Sequence, residues 1–334
     1  MQTPEGADAP ASTYGERAAA LARLIAEGRL APPLGVTCRG RKGGAGSQAM
    51  AFISAMATAR FIGCRYFHSP FGTVAHAEGS PTEWAQRWES FLNLGDGEPA
   101  VPSGMELVRL SDVLTNPTFY SDRPIVIAER RLHVPSPDGT RITDGLRSEL
   151  RAKYWRGPKA SIPLHRGSDR ELTVALHLRR GDVSRAQNGE RYVPDQRMLH
   201  QIARLKRALA PFGRPLRFNL YSEGEPAGFR IFAEAGCGLY ISTDPFETFH
   251  NMVAADILVG AYSMFSYAAA LLSEGIVLDH RVHAPAHSGW ISRRGDGDIS
   301  IKRLRRALLG RMGWRERWAW RIRRVLQRGT ASGR

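Results

Sequence analysis

The sequence predicts an α/β fold in which helices cover parallel sheets. In the second half, five short apolar segments typical of strands alternate with segments of helical periodicity between residues 172 and 278. In the first half, a predicted strand at 34–39 runs through a glycine-rich turn at 39–48 into a helix of small and apolar residues. The simplest architecture is two Rossmann-like domains that face a cleft, followed by a basic amphipathic helical tail.

The domain boundaries follow from changes in composition. Four segments are predicted: residues 1–30 as an N-terminal extension with a short helix, 31–165 as the first Rossmann-like domain, 166–290 as the second, nucleotide-binding one, and 291–334 as the tail. Thr13 and Glu16 stand at capping-box spacing, so they mark the start of the short helix, and Gly28 marks its end.

Composition limits the class of protein. The chain has 334 residues, 43% of them apolar, which is enough for one large or two medium cores. Its three cysteines show no C-x-x-C spacing, so a reducing compartment is favoured over a disulfide framework or a zinc cluster. The sequence shows neither a secretion signal nor a run of ~18 apolar residues, and we expect a cytoplasmic protein that does not span a membrane.

The segment LTVALHLRRGDVSR at 172–185 holds the strongest site signal. Its apolar part predicts a buried strand, and the strand ends in Arg179, Arg180 and Asp182. Ligands of open α/β sheets bind outside the carboxyl ends of strands, where guanidinium groups match phosphate oxygens. Asp182 would hold one arginine by a charge-assisted hydrogen bond. The alternative is a solvated turn without a ligand.

Two further predicted strands end in polar residues. Ser222 and Glu223 follow the strand at 217–221, and the strand at 256–260 leads to a helix start at Ser263. A helix start offers unpaired amides to an anion. For Ser263 and Ser266 the alternative is ordinary N-capping.

These blocks resemble a known family. HLRRGD at 177–182, FNLYSEG at 218–224 and DILVGAYSMFSYAAALLS at 256–273 are similar to three blocks of the fucosyltransferase superfamily. The turn Gly43 to Gln48 is similar to the Gly-x-Gly-Asn-Gln turn of that superfamily. The resemblance implies a GT-B fold, GDP-fucose as donor, no metal cofactor and an acceptor-side first domain.

The resemblance also implies roles for individual residues. Arg179 would contact the pyrophosphate and be the least replaceable residue, with Arg180 second. His177 would contact guanine or ribose, although a packed strand histidine is an equal alternative. The remaining residues on the donor side would be Gly44, Gly46, Ser47, Gln48, Ser222, Glu223, Asp256, Ser263, Phe265 and Ser266. Ser47 replaces the usual Asn and Met264 replaces a small residue, which puts exact transfer of those two roles in doubt. The glycine turn has a tight strand-to-helix turn as its alternative.

The general base is not evident from the sequence. His68, His76 and Glu78 follow a predicted strand of the first domain and are the candidates, each with a solvated side chain as the alternative. His280, His283 and His287 have the spacing H-x2-H-x3-H, but without a cysteine nearby and with only Asp279 as an acidic neighbour, zinc is not expected.

Most of the net charge of +15 lies in the tail, where residues 302–328 contain eleven Lys or Arg and one acid. Apolar residues and tryptophans recur there at helical spacing. This pattern predicts that residues 301–328 bind an anionic membrane surface, which here would be the inner face of the plasma membrane. The alternatives are a helix packed on the body and, less favoured, nucleic acid.

We therefore expect an inverting, metal-independent glycosyltransferase of bacterial type. It would transfer fucose from GDP-fucose, or the sugar of a related GDP-sugar, to a free or lipid-linked saccharide of a surface glycan. Two other interpretations are a catalytically inactive nucleotide- or saccharide-binding protein and a membrane-surface scaffold.

Overall fold

The computed structural model describes residues 14–38, 42–121, 123–128, 142–279, 287, 289–292 and 299–313. The chain divides into two compact units, residues 1–156 and 157–334. The division lies before the predicted boundary at residue 165 because the connector is tied to unit 2. There the His165 amide donates to Asn251 Oδ1 (2.7 Å), and Asn219 Nδ2 donates to the His165 carbonyl (2.7 Å).

Unit 1 is a four-stranded sheet with helices around it. Its elements are α1 (Tyr14–Ala26), β1 (Gly35–Thr37), α2 (Ala45–Ile62), β2 (Arg65–Phe67), α3 (Pro81–Leu92), β3 (Glu106–Val108), α4 (Leu110–Thr115), α5 (Pro117–Tyr120), β4 (Ile125–Ala128) and α6 (Asp144–Arg156). The strands are parallel in the order β2-β1-β4-β3. Gly35 allows β1 to approach β2 closely, since a Cβ there would overlap the Arg65 carbonyl and the Phe67 ring. Thr13, the predicted cap of α1, lies outside the described residues.

Unit 2 contains the larger sheet. Its elements are β5 (Leu172–His177), α7 (Asp195–Leu209), β6 (Leu216–Ser222), α8 (Arg230–Glu234), β7 (Cys237–Ile241), α9 (Pro245–Ala254), β8 (Ile257–Val259), α10 (Met264–Leu272), β9 (Ile276–Asp279), β10 (Ile291–Ser292) and α11 (Ile301–Arg311). The five predicted strands are present, and β10 adds a sixth that is too short to show periodicity.

The strand order of unit 2 is β10-β9-β8-β5-β6-β7, and all pairs are parallel. Counted from β5, this is the order 6-5-4-1-2-3 of a Rossmann sheet. The chain runs from β5 outward to β7 and then returns to β8 on the other side of β5. The predicted α/β fold with two Rossmann-like units is therefore confirmed, and the order of unit 2 reverses between β5 and β8.

Side chains of β5 alternate between the two faces of the sheet. Leu172, Val174 and Leu176 belong to the hydrophobic core that also contains residues of α7 and α11. Thr173, Ala175 and His177 therefore point to the opposite face. This alternation decides which strand residues can reach a ligand.

The first part of the tail packs on the body of unit 2. Leu304 and Leu308 of α11 are buried in the core of unit 2, as in the alternative interpretation of the tail. The predicted continuation of the helix from Trp314 onward lies outside the described residues. In the described part of the chain, no helix is both long and apolar enough to cross a bilayer.

Candidate functional site

The candidate site lies at the carboxyl ends of β5 and β8, where the strand order of unit 2 reverses. Open α/β sheets bind ligands at this point because the two loops leave in opposite directions and open a crevice. Arg179 follows β5, and Tyr262 and Ser263 follow β8. The Nη1 atom of Arg179 donates to the Tyr262 carbonyl (3.3 Å), so the structure joins the two strand ends.

Arg179 is held in a fixed orientation. Its Nε donates to Asp182 Oδ1 (2.9 Å) and its Nη2 donates to Asp182 Oδ2 (2.6 Å), which is a bidentate ion pair. A guanidinium has five N–H groups, and these contacts together with Tyr262 use three of them. Two N–H groups therefore remain without a described partner, and the side chain is 25% exposed. Arg179 can bind an anion without giving up the bonds that orient it.

The turn after Arg179 depends on Gly181. Its φ of +63° lies in the left-handed region, and a Cβ there would meet the carboxylate of Glu223. The side chain of Glu223, which follows β6, therefore lies against this turn. Glu223 is exposed to solvent.

His177 is the buried polar side chain next to Arg179. Burial, and then the positive charge of Arg179, lower the pKa of His177 to about 4, so the ring is neutral at pH 7. Its Nδ1 is buried without a hydrogen-bond partner among the described residues. The centroid of the ring lies 6.1 Å from that of Phe265, which in turn packs edge-on against Phe249. A neutral imidazole with an unused nitrogen is suited to a polar, uncharged part of a ligand.

Ser263 caps α10, because its Oγ accepts from the Phe265 amide (3.2 Å). Ser266 is 1% exposed, and its hydroxyl bonds the backbone of Ala261 and Ser263. Ser222 donates from Oγ to the Leu178 carbonyl (2.6 Å) and so fastens β6 to the end of β5. These three hydroxyls bond the backbone around the crevice; the capping alternative describes Ser263, whereas Ser266 lies within the first turn of α10 and bonds back to the loop.

Arg180 points into the loop that follows it. Its Nη2 donates to the Val193 carbonyl (2.8 Å) and to Asp195 Oδ1 (2.5 Å), and the guanidinium lies 4.2 Å from the ring centroid of Tyr192. These partners orient Arg180 toward residues 192–195, and its predicted second place at a phosphate stays a prediction. Sequence reasoning missed Asp195 because a partner 15 residues away carries no local signal.

Asp256 lies at the opposite edge of the sheet, which corrects its assignment to the donor site. Its Oδ2 accepts from the amide and from the Oγ1 of Thr173, both at 2.8 Å. Thr173 belongs to the amino end of β5, so Asp256 is about 20 Å from Arg179 at about 3.3 Å of rise per residue. Parallel strands place a residue that precedes β8 at the amino edge.

The glycine turn of unit 1 is organised by Gln48. Its Nε2 donates to the carbonyls of Gly43 (3.2 Å) and Thr73 (3.0 Å), and its Oε1 accepts from the Gly72 amide (3.0 Å). Through these bonds Gln48, which is 1% exposed, joins the glycine turn to the loop at residues 72–73. Gly44 precedes the first turn of α2, while Gly46 is buried and Ser47 is partly exposed within it. Residues 39–41 of this turn lie outside the described part.

His68 lines a cavity of about 670 Å³ within unit 1, together with residues that include Cys38, Phe52, Ser69 and Met105. Both of its ring nitrogens are occupied: Nδ1 by the Tyr66 hydroxyl (3.0 Å) and Nε2 by Glu89 Oε1 (2.8 Å). Tyr66 and Glu89 orient the ring, so a bound acceptor would have to replace one of these partners before His68 could take its proton.

The other two candidate bases, His76 and Glu78, are exposed. Tyr66 and Glu89 were missed by sequence reasoning, because nothing in the sequence connects Glu89 of α3 to β2. Among the described residues, no group of three His, Cys, Asp or Glu side chains could hold a metal ion. His280 and His283 lie outside that part of the chain, so the predicted spacing with His287 is not described.

The chain is distantly similar to several solved structures. It resembles the fucosyltransferase NodZ from Bradyrhizobium at 12% identity and a TM-score of 0.46, over 74% of this chain and 96% of the other. It resembles the E. coli heptosyltransferase WaaC at 11% identity and 0.40, over 83% and 99%. For POFUT1 in complex with GDP the values are 13% and 0.34, over 73% and 97%. No protein-family model and no curated protein matches the sequence.

A fucosyltransferase and a heptosyltransferase are thus among the solved structures to which the chain is similar.

Proposed function

We propose that the chain is a glycosyltransferase that takes its sugar from a GDP-sugar, with GDP-fucose as the first candidate, and transfers it to a saccharide. The observation that carries the proposal is Arg179, oriented by Asp182 at the point where the Rossmann order reverses, with two N–H groups left for an anion. The motif HLRRGD, which resembles that of fucosyltransferases, supplies the choice of donor class.

The reaction breaks the bond between the anomeric carbon and an oxygen of the β-phosphate. The bonding electron pair stays on that oxygen, the acceptor hydroxyl oxygen bonds the anomeric carbon, and the hydroxyl proton leaves to solvent or to a base. Arg179 would hold the charge that develops on the β-phosphate, and the start of α10 behind Ser263 would add its dipole. Attack from the face opposite the leaving group inverts the anomeric carbon.

His177 and Phe265 are assigned to the nucleoside. The neutral ring of His177 avoids repulsion with Arg179, and guanine or ribose would have to reach into the packed interior to bond its unpaired Nδ1. Phe265 offers an apolar face beside it.

Thermal unfolding with GDP, UDP, ADP and dTDP tests the nucleotide assignment. We expect GDP to raise the melting temperature more than the other three. Arg179→Ala should abolish the shift and lower GDP-fucose turnover at least ~100-fold, by analogy with loss of one preorganised donor. Arg170→Ala is the matched control, because Arg170 is exposed at the opposite end of the same strand. This variant should leave the GDP-induced shift in melting temperature and the turnover unchanged. A protein that is indifferent to guanine nucleotides would refute the donor assignment.

A second candidate is a nucleotide-binding protein that does not catalyse transfer. The two ring contacts of His68 motivate it, since a bound acceptor would first have to replace the Tyr66 hydroxyl or Glu89. GDP-dependent stabilisation without hydrolysis or transfer, across a panel of saccharide acceptors, would select this candidate.

A further inference from the structure

Two adjacent helices of unit 2 form a basic surface, which we call the α7–α11 surface. It comprises the exposed residues Arg207, Lys302, Arg303, Arg306 and Arg311. The helices are fastened side by side, because Arg305 Nε donates to the Ala208 carbonyl (3.2 Å). Leu304 and Leu308 of α11 share a buried core with Met198, Ile202 and Leu205 of α7. Arg207, Lys302 and Arg306 lie opposite the buried residues of their helices, on the outer side of this layer, and Arg311 lies at the end of α11.

Among the described residues, no carboxylate belongs to this surface. Residues 196–213 and 299–313 contain neither Asp nor Glu. Arg207, Lys302, Arg306 and Arg311 form no ion pair with a described carboxylate, and Arg303 donates to the Trp290 carbonyl (3.3 Å). Elsewhere, exposed arginines of this chain do have acidic partners, as in Arg123 with Glu106 and Arg156 with Asp96. Clustered like charges repel one another, so such a surface is stabilised when an anionic partner covers it.

We propose that the α7–α11 surface binds the anionic headgroups of a lipid membrane. The contact is electrostatic and does not insert α11, because the apolar residues of α11 are already buried in the core of unit 2. Polybasic surfaces of this kind are attracted to the negative potential of membranes that contain anionic lipid. This inference goes beyond the proposed activity and holds whichever nucleotide the crevice binds.

Two observations favour lipid over nucleic acid as the partner. The outward positions of α7 are Gln196, His200, Ala203 and Arg207, and neither helix presents an exposed Phe, Tyr or Trp on which bases could stack. The sequence that follows α11, residues 314–334, contains three tryptophans and seven arginines with one acid. Tryptophan mixed with arginine is typical of segments that settle among lipid headgroups.

Co-sedimentation of the full-length protein with phosphatidylcholine vesicles, with and without phosphatidylserine, tests the proposal. We expect binding only with phosphatidylserine, and weaker binding as salt is raised. Arg207→Gln should weaken it about fivefold, the equivalent of about 1 kcal/mol per basic residue. Lys302→Gln with Arg306→Gln should weaken it about 30-fold on the same scale. Point variants are used because removal of α11 would open the core.

The matched control is Arg65→Gln with Arg109→Gln, which removes two exposed charges from unit 1 and should leave binding unchanged. Four outcomes would overturn the proposal: no binding to phosphatidylserine vesicles, equal binding to phosphatidylcholine alone, full binding by Arg207→Gln, or displacement of the vesicles by a single-stranded oligonucleotide at equal charge. Full binding by Arg207→Gln would limit the contact to the tail, and displacement by the oligonucleotide would make nucleic acid the partner.

Discussion

Arg179 and Arg180 are adjacent in sequence but make contacts of different kinds. Arg179 forms a bidentate pair with Asp182 and bonds the Tyr262 carbonyl after β8, whereas Arg180 bonds Val193 and Asp195 and lies against the ring of Tyr192. The Arg179–Asp182 pair is partly exposed, with Asp182 at 44%, so its contribution to stability is small. Its value lies in orientation, which a preorganised anion site requires.

His177 gives a pH dependence with a defined sign. Its pKa is about 4 in the folded protein and 6.5 ordinarily, so between these values the unfolded chain binds a proton that the folded chain does not. The stabilisation is fully present above pH 6.5 and is lost as pH falls toward 4, by at most about 3 kcal/mol. Urea unfolding from pH 7 to 4 should therefore show a shallower pH slope for His177→Gln than for the parent chain.

His250, whose pKa burial also lowers to about 4, titrates in the same window and serves as the comparison. His250→Gln should reduce the slope as well, and the two variants should do so independently. If His177→Gln left the slope between pH 6.5 and 4 unchanged, the ring would not be buried and neutral.

At the scale of elements, β5 carries two different tasks at its two ends. Its carboxyl end leads to Arg179 and the crevice. Its amino end is joined to β8 through Thr173 and Asp256, with the Asp256 amide donating in return to Thr173 Oγ1 (3.1 Å). One parallel strand thus separates the ligand edge from a structural junction.

Asp256→Ala tests this separation. The variant leaves the amide of Thr173, a residue 4% exposed, without its acceptor, so we expect a loss of about 2 kcal/mol in the free energy of unfolding. The affinity of the folded protein for GDP, measured by calorimetry, should stay within twofold of the parent value, because the crevice is at the other edge. A tenfold weaker affinity in a correctly folded variant would return Asp256 to the nucleotide site.

At the scale of the whole molecule, the proposed crevice predicts that a bound nucleotide protects unit 2 and not unit 1. GDP should slow amide hydrogen exchange at the carboxyl edge of unit 2, in residues 177–182, 222–224 and 260–266. The amino edge around Thr173 and Asp256 is the internal control and should exchange as before. Protection confined to unit 1, or spread evenly over the sheet of unit 2, would contradict a crevice between β5 and β8.

Local patterns in the sequence were sufficient for the type and order of most elements. Alternation in LTVALH depends on neighbours in the chain, which is why β5 lies where it was predicted, and α3 and α9 likewise begin at the local caps Ser80 and Asp244. The order of unit 2 was not predictable in the same way. Strand β10 has two residues, and its pairing with β9 depends on the sheet already present.

The sequence by itself determined the α/β class, the arginines at the end of β5 and the concentration of charge behind residue 301, because these depend on residue type and local spacing. Only the tertiary structure decided that Arg179 bonds the loop after β8 while Arg180 bonds the loop before α7, that Asp256 lies at the opposite edge, that both nitrogens of His68 have partners, and that Leu304 and Leu308 are buried. Each of these depends on partners far apart in the chain, which packing and strand order bring together.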